Sequence, residues 1–394
     1  MSICASDKCT GCGACVKICP IQCIRMSTDL YGFRYPVIDE NVCIHCGSCT
    51  KTCPSLNELS VNIPKAAFAF QATKDSRKVQ RESASGGAFY VLAKTVLNKG
   101  GIVFGCVWGE SFQVEHIAVT NIKELCRLQK SKYVQSNLKN TYEETKKYLE
   151  NGKIVLYSGT PCQIAGLRSF LGLEYCNLLT ADVICHGVPS QELFDDYLRS
   201  CIYTKRSELV KYEFRITDPK RPKYNGRIWR SDELGLHSRP LIWQNDSFFS
   251  AFMYGLTYRD SCYKCLYANR NRVSDVTFGD FWGIEKIDKQ CDDSYGVSLV
   301  LLNTDKGAKW FENNGDNYCK VVDIDKACKN NGQLNCASVK TSQREVFLRT
   351  WKEKGYKVVD REFKRKEWKR RWKSLAVYYC PHIIKVIVRK IRSR

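Results

Sequence analysis

The sequence predicts a small α+β unit at the N-terminus, a larger α/β domain behind it, and a basic helical tail. Three observations predict this. Eight cysteines crowd into two matching runs within the first 53 residues. From residue 66 onward, short apolar runs alternate with stretches of helical period, the pattern of an α/β domain. Cations then gather at the far end: residues 349–394 carry 17 Lys and Arg against 4 Asp and Glu, which is +13 of the net +21.

The first run is Cys9-Thr-Gly-Cys12-Gly-Ala-Cys15-Val-Lys-Ile-Cys19-Pro20, and the second is Cys43-Ile-His-Cys46-Gly-Ser-Cys49-Thr-Lys-Thr-Cys53-Pro54. Both read C-x2-C-x2-C-x3-C-P, the spacing with which two-cluster bacterial ferredoxins hold [4Fe–4S] cubanes. In that arrangement three close cysteines cap three irons, and the fourth, before the proline, crosses to the other cluster. Cys9, Cys12, Cys15 and Cys53 then serve one cluster; Cys43, Cys46, Cys49 and Cys19 serve the other. Zinc also takes thiolates, but four ligands satisfy it, and the third cysteine of each run and its proline would stand idle. The reading is therefore a ferredoxin-like unit that moves electrons. Between the runs, Tyr31-Gly-Phe-Arg-Tyr-Pro-Val-Ile reads as a short strand pair, and residues 55–65 read as a linker.

The length of 394 residues allows two or three domains. Met1 to Ile3 lead straight into Cys4 with neither a basic nor an apolar leader segment, and no apolar stretch of about 18 residues occurs. With 23 cysteines in such a chain, a reducing cytoplasm is expected rather than a disulfide scaffold.

Apolar runs at 66–72, 102–107, 154–157, 178–184, 276–278 and 297–302 are read as buried strands, the last followed by a helix over 305–312. Residues 210–243, rich in Arg, Lys, Pro and Gly, read as an irregular insertion or binding loop.

Three strand-to-helix junctions carry the chemistry. At Ser83-Ala-Ser85-Gly86-Gly87 a helix begins, with Phe89, Leu92, Ala93, Val96 and Leu97 on one face. Glycines there let a phosphate approach free backbone N–H groups, although an ordinary N-cap reads the same way. At Ser158-Gly159-Thr160-Pro161-Cys162-Gln163 a strand stops, Thr160 caps, and Pro161 takes the first helical position. Cys162 then lies in the first turn, where a thiolate is favoured. Cys185-His186-Gly187-Val-Pro189-Ser190 repeats this plan. If the two strands are parallel neighbours, both cysteines project from the carboxyl edge of the sheet, where ligands of such folds bind. Cys262-Tyr-Lys-Cys265 supplies two more thiols. Four thiols from three loops predict a third [4Fe–4S] cluster; the alternative is that Cys162 and Cys185 are small buried residues.

Together Ser85-Gly-Gly, Lys132-Tyr133-Val-Gln135-Ser136, Gly159-Thr-Pro-Cys162-Gln, Cys185-His-Gly-Val-Pro-Ser, Cys262-Tyr-Lys-Cys265 and Asp275-Val-Thr-Phe-Gly279-Asp280-Phe-Trp-Gly283 resemble the coenzyme F420 hydrogenase/dehydrogenase beta-subunit family. The likeness covers roughly residues 66–310. It implies FAD, contacted by Ser85, Gly86, Gly87, Lys132, Tyr133, Gln135, Ser136, Gly159, Thr160 and Gln163. A ferredoxin unit fused in front also resembles proteins of bacterial surface-polysaccharide gene clusters.

The whole reading is an α+β ferredoxin-like unit (1–56), an α/β flavin-binding domain in two parts (66–150 and 151–330), and a basic tail (340–394). The expected function is an iron–sulfur flavoprotein oxidoreductase. It takes electrons from a ferredoxin or other donor through its clusters to FAD, and on to a small-molecule or sugar-derived substrate. His186 and Asp280 are the acid–base candidates, with a structural histidine and a turn aspartate as the plain alternative. The competing function is a non-catalytic electron-relay beta subunit of a larger, deazaflavin-linked hydrogenase or dehydrogenase. For the tail, a solvated helix packed on the body competes with an amphipathic helix on anionic lipid at the inner membrane face; nucleic acid is not expected.

Overall fold

The computed structural model describes residues 3–72, 77–218, 225–291, 294–312 and 317–379. In the N-terminal unit Ile24–Thr28 (β1) and Arg34–Ile38 (β2) pair antiparallel, Ile24 opposite Ile38. The Asp29 carboxylate shapes the turn by accepting the backbone N–H groups of Tyr31 and Phe33. Each cysteine run opens a one-turn helix, Ala14–Lys17 or Ser48–Lys51, behind a left-handed glycine, Gly13 at φ 76° or Gly47 at φ 72°. A side chain is strained there, which accounts for the Cys-Gly-x-Cys in both runs.

Behind the linker come Ala66–Gln71 (β3), Ile102–Trp108 (β4), Val114–Val119 (β5), Val155–Gly159 (β6) and Leu178–Val183 (β7). Glu208–Glu213 (β8), Gly226–Asp232 (β9) and Gly235–Leu241 (β10) follow, then Val276–Asp280 (β11), Ser298–Leu302 (β12) and Tyr318–Val322 (β13). Among the described residues one eight-stranded sheet runs β13-β3-β12-β11-β7-β6-β4-β5. Strands β4, β6, β7 and β11 are parallel, while β12, β13 and β5 pair antiparallel to their neighbours. β3 therefore points the same way as the parallel four, and all five carboxyl ends meet at one edge. Both sides of residue 150 contribute strands to this sheet and form one body.

The sheet is covered on both faces, which is why its central strands read as unbroken apolar runs. Val103, Leu156 and Leu179 pack with the helix Ala88–Asn98, whereas Phe104, Tyr157 and Leu178 pack with the helix Pro161–Leu171. The alternation is the two-residue period of a strand.

The structure corrects the reading of 210–243. Residues 219–224 lie outside the described residues; the rest is largely an antiparallel meander, β8-β9-β10, built over Leu209, Tyr212, Phe214, Ile228 and Leu241. Only one face of it is buried, and its other face mixes Glu208, Lys211, Arg227 and Ser231 with Trp229 and Leu236. The apolar half of the alternation is therefore too sparse to stand out among Arg and Lys. The tail, whose residues 380–394 lie outside the described residues, forms the helices Ser342–Lys354, Tyr356–Lys366 and Trp368–Tyr379. Leu348, Trp351, Tyr356 and Val359 sit in the same aromatic core as the meander, so the first half of the tail is part of the body.

Candidate redox site

Cys9, Cys12, Cys15 and Cys53 line a single cavity together with Cys4 and Pro54. The last cysteine of the second run thus stands with the first three of the first. Cys4 hydrogen-bonds both Cys9 and Cys53 and is the main cause that holds each of these thiols down to about 6. Burial pushes Cys12 up to about 11, and Cys9 and Cys53 add to the rise. On the other side Cys19 and Cys43 meet through Cys23, whose Sγ lies 3.5 Å from that of Cys19. Burial, then Cys19 and Cys43, raise Cys23 to about 12. Cys46 is exposed, with its Sγ 3.3 Å from Ser48 Oγ, and Cys49 is half-buried. Cys4 and Cys23 fall outside the C-x2-C-x2-C-x3-C-P spacing, so sequence reasoning passed over both. Their one signal was lying within five residues of a ligand-type cysteine.

Among the described residues every cysteine is a free thiol, and no three His, Cys, Asp or Glu side chains are gathered as ligands of a single metal ion. A cubane asks for something else, four thiolates spaced around a cavity, each capping its own iron. The set of Cys9, Cys12, Cys15 and Cys53 around one cavity fits that demand.

The parallel pairing of β6 with β7, from Val155–Leu178 to Gly159–Asp182, brings the second and third junctions side by side. Cys162, Cys185, Cys262 and Cys265 are thereby gathered closely enough to act on one another. Cys185 feels the charges of the other three, and Cys162 feels Cys265, Cys262 and also Cys12. The Cys12 side chain lies against the Cys162 helix, where a Cβ on Gly166 would fall 3.0 Å from its sulfur. The expectation that a helix N-terminus eases ionisation of Cys162 is corrected. Burial, the largest cause, raises all four thiols, Cys262 to about 12. Thiols crowded in a dry place resist becoming several anions unless a cation is bound among them.

Beside this set the carboxyl edge opens into a cavity of about 350 Å³. Ser85, Gly87, Lys132, Tyr133, Gln135, Ser136, Gly159, Thr160, Cys162, Gln163, Cys185, His186 and Asp280 all line it. Gly86 does not, and here the sequence reading is corrected. A Cβ on Gly86 would fall 2.1 Å from the Phe70 carbonyl oxygen and 2.6 Å from the Ser298 nitrogen, so glycine is needed there to pack the loop on β3 and β12. Gln163 accepts from the Thr160 N–H at 2.9 Å and donates to Ser136 Oγ at 2.8 Å, locking two of the loops together. Gln135 donates to the Thr10 carbonyl at 3.0 Å and so ties the cavity wall to the N-terminal unit.

The cavity is cationic on one side. Burial lowers Lys132 to about 8, and its Nζ donates to the carbonyls of Gln129 and Arg127. Arg215, at the end of the meander, pairs with Asp280 at 2.8 Å and donates to the Ala84 carbonyl at 3.0 Å. Burial opposes the Arg215 charge, but Asp280 and Tyr133 together more than offset it and hold the guanidinium protonated. His186 is pulled down by burial against the pull of Asp280, so its imidazole is neutral at pH 7. Arg215 was missed in the sequence because nothing marks it among its basic neighbours.

His116 was missed too. It lines the same cavity at 2 % exposure, stacks on Tyr157, and contacts the Ser158 carbonyl through Nε2 at 3.0 Å. Its Nδ1 and the Gln129 Oε1 are buried without a protein partner. Burial lowers His116 to about 4. On unfolding it regains its ordinary value near 6.5, so the unfolded chain takes up a proton that the folded chain refuses between these values. Stability therefore falls as pH drops through that window, by about 3 kcal/mol in all from this group. Denaturation followed at pH 7, 5.5 and 4 should show this loss reduced in His116→Phe; an unchanged pH slope would mean that other groups carry it.

Residues 152–327 match the family described as the C terminus of the coenzyme F420 hydrogenase/dehydrogenase beta subunit. Residues 8–57 match one 4Fe-4S dicluster domain description, and residues 35–91 match another. Among curated proteins, none matches this chain. Among solved structures, the chain is similar to one from the F420-reducing [NiFe] hydrogenase complex of Methanosarcina barkeri in its xenon derivatization. The identity is 15 %, over 79 % of this chain and 92 % of that one, with a TM-score of 0.43. The paired cysteine runs and the dicluster matches define an iron–sulfur protein of electron transfer. The match over residues 152–327 agrees with the resemblance of the ordered motifs to the coenzyme F420 hydrogenase/dehydrogenase beta-subunit family.

Proposed function

We propose that the chain is an electron-transfer subunit of the hydrogenase/dehydrogenase beta type. It passes electrons between a redox partner and a flavin or deazaflavin held in the large cavity. The observation that carries this reading is the run of thiols across the molecule. Cys19 and Cys43 meet at Cys23, Cys53 stands with Cys9, Cys12 and Cys15, Cys12 lies against the Cys162 helix, and Cys162 and Cys185 line the cavity. Cys162, Cys185, Cys262 and Cys265 would hold a third [4Fe–4S] cluster between the N-terminal unit and the cavity.

The cavity suits a planar heteroaromatic ring with anionic groups. Phe89, Tyr133, Phe249, Phe252 and Phe278 supply apolar wall, Lys132 and Arg215 supply positive charge, and His116 Nδ1 and Gln129 Oε1 wait for partners. A flavin in such a place supplies the exchange between single electrons and a hydride. Ser85, Gly87, Lys132, Tyr133, Gln135, Ser136, Gly159, Thr160 and Gln163 would bind and orient it.

A second reading, a self-contained FAD reductase fed by a ferredoxin, is favoured by the pairing of Arg215 with Asp280 close to a neutral His186. In it these groups hold and move a proton beside the substrate. Anaerobically purified protein separates the two. The relay reading expects the bound cofactor to be reduced by a one-electron donor with no turnover of a small-molecule acceptor until a partner subunit is added. Sustained turnover by the chain alone, lost in Asp280→Asn, supports the reductase; a chain that binds neither iron nor flavin sinks both.

The basic tail supports peripheral contact with anionic lipid. Trp368, Trp372 and Tyr379 form one exposed stripe along the helix Trp368–Tyr379, flanked by Lys369 and Lys373. Among the described residues no helix is long and apolar enough to cross a membrane. The full chain should sediment with vesicles rich in phosphatidylglycerol and much less with phosphatidylcholine alone, and Trp368→Ser with Trp372→Ser should weaken the binding several-fold. No preference for the anionic vesicles would count against it.

A further inference from the structure

Arg259 is 1 % exposed and lies between the two units. No carboxylate pairs with it among the described residues. Its donors go to neutral acceptors: Nε to the Cys9 carbonyl at 2.6 Å, one terminal nitrogen to the Arg34 carbonyl at 2.9 Å, and the other 3.4 Å from Gln135 Oε1. The guanidinium lies 3.9 Å over the Tyr35 ring. Arg34 is a cation too, and the two arginines repel one another. A buried charge without a counter-ion is expensive, and carbonyl dipoles and one ring face offset only part of the cost.

Arg259 stands beside cysteines of both thiol sets. On one side its Nε donates to the carbonyl of Cys9. On the other it opens the turn that carries Cys262, three residues along the chain. The backbone makes the same link. The Arg259 N–H donates to the Val188 carbonyl at 3.0 Å, and the Arg259 carbonyl accepts the Cys262 N–H at 3.0 Å. Residue 259 therefore sets the start of the turn Asp260–Lys264 that carries Cys262, while its side chain grips the Cys9 backbone.

We propose that Arg259 is the shared counter-ion of two neighbouring iron–sulfur sites, the one containing Cys9 and the one containing Cys262, and that its fixed charge sets their reduction potentials. The proposal rests on the reading of both cysteine sets as [4Fe–4S] sites. Each electron gained makes such a site more negative, so a fixed cation beside it stabilises the reduced form and raises its potential. When an electron crosses between the two sites, one is oxidised and the other reduced, and Arg259 is unchanged. It is a positioning residue that keeps both sites accessible to the same donor.

The test uses the full chain, reconstituted anaerobically and titrated reductively with detection by electron paramagnetic resonance. Signals are assigned with Cys46→Ala, which removes the outer N-terminal site. Arg259→Gln should keep the parent's iron content. At a poise that half-reduces the parent's inner sites, the variant's reduced-to-oxidised ratio should be about tenfold lower, or about 59 mV for one electron. The outer site, of Cys43, Cys46, Cys49 and Cys19, should titrate as before. Arg259→Lys should recover most of the loss. A Gln variant with full iron that titrates like the parent makes Arg259 a mechanical clasp and overturns the proposal, as does a Lys variant that titrates like the Gln one. If Arg259→Gln loses iron, the Lys variant decides: a parent-like titration upholds the proposal and loss of iron overturns it. A parent chain without iron overturns the cluster reading itself, which keeps the two failures apart.

Discussion

Changing Cys262 and Cys265 together to Ser should remove about four of roughly twelve irons per chain and leave the two N-terminal sites intact. It should also slow reduction of the cavity cofactor by orders of magnitude, because the run of thiols is interrupted at its last station. Cys162 and Cys185 line the cavity and feel Cys262 and Cys265. Without the pair, two raised thiols remain and a cubane lacks half its ligands. Serine is nearly isosteric with cysteine, so folding should survive, and flavin binding gives a check that it has. Iron analysis with stopped-flow reduction of the cofactor reads the result. If iron content and reduction rate both match the parent, the four thiols are ordinary buried residues.

Replacing Arg272 by Met should destabilise the chain by about 3–5 kcal/mol, read as a lower denaturation midpoint. Arg272 and Asp182 are paired at 2.8 Å with side chains 1 % and 0 % exposed. The guanidinium binds Asp182 Oδ1 and Oδ2 has no protein partner, so removing the guanidinium leaves a buried carboxylate uncompensated. The same guanidinium donates to the Tyr267 and Asn269 carbonyls at 2.9 and 3.1 Å, which shapes the loop behind Cys265. Asp182 belongs to β7, which ends just before Cys185. The pair therefore braces two of the loops that gather the third thiol set. Asp182→Asn added to Arg272→Met should recover part of the loss, because the stranded charge is then gone. A single variant as stable as the parent would mean that solvent reaches Asp182.

The sequence by itself marked the two cysteine runs, the thiol-bearing junctions and most strands of the large sheet. The ferredoxin-like cysteine spacing, the Gly-Thr-Pro-Cys and Cys-His-Gly junctions, and the apolar runs that became β3, β4, β6, β7, β11 and β12 were all local patterns. A strand buried on both faces is a run of Val, Leu and Ile, and a tight turn at φ > 0 requires glycine, so both are written in neighbouring residues. The meander at β8–β10 was hidden because only one of its faces is buried.

Tertiary structure alone decided what stands across from what. The order β11-β7-β6-β4 aligned the junctions at one edge. Packing showed that Gly86 serves the sheet rather than the cavity, and it brought His116 and Arg215 to the cavity wall. It also placed Cys4 and Cys23 among the cluster-type cysteines and Arg259 between two thiol sets. Burial reversed the expected ease of ionising Cys162. Such facts depend on desolvation and on charges many residues apart in sequence, terms that exist only once the chain has closed around them.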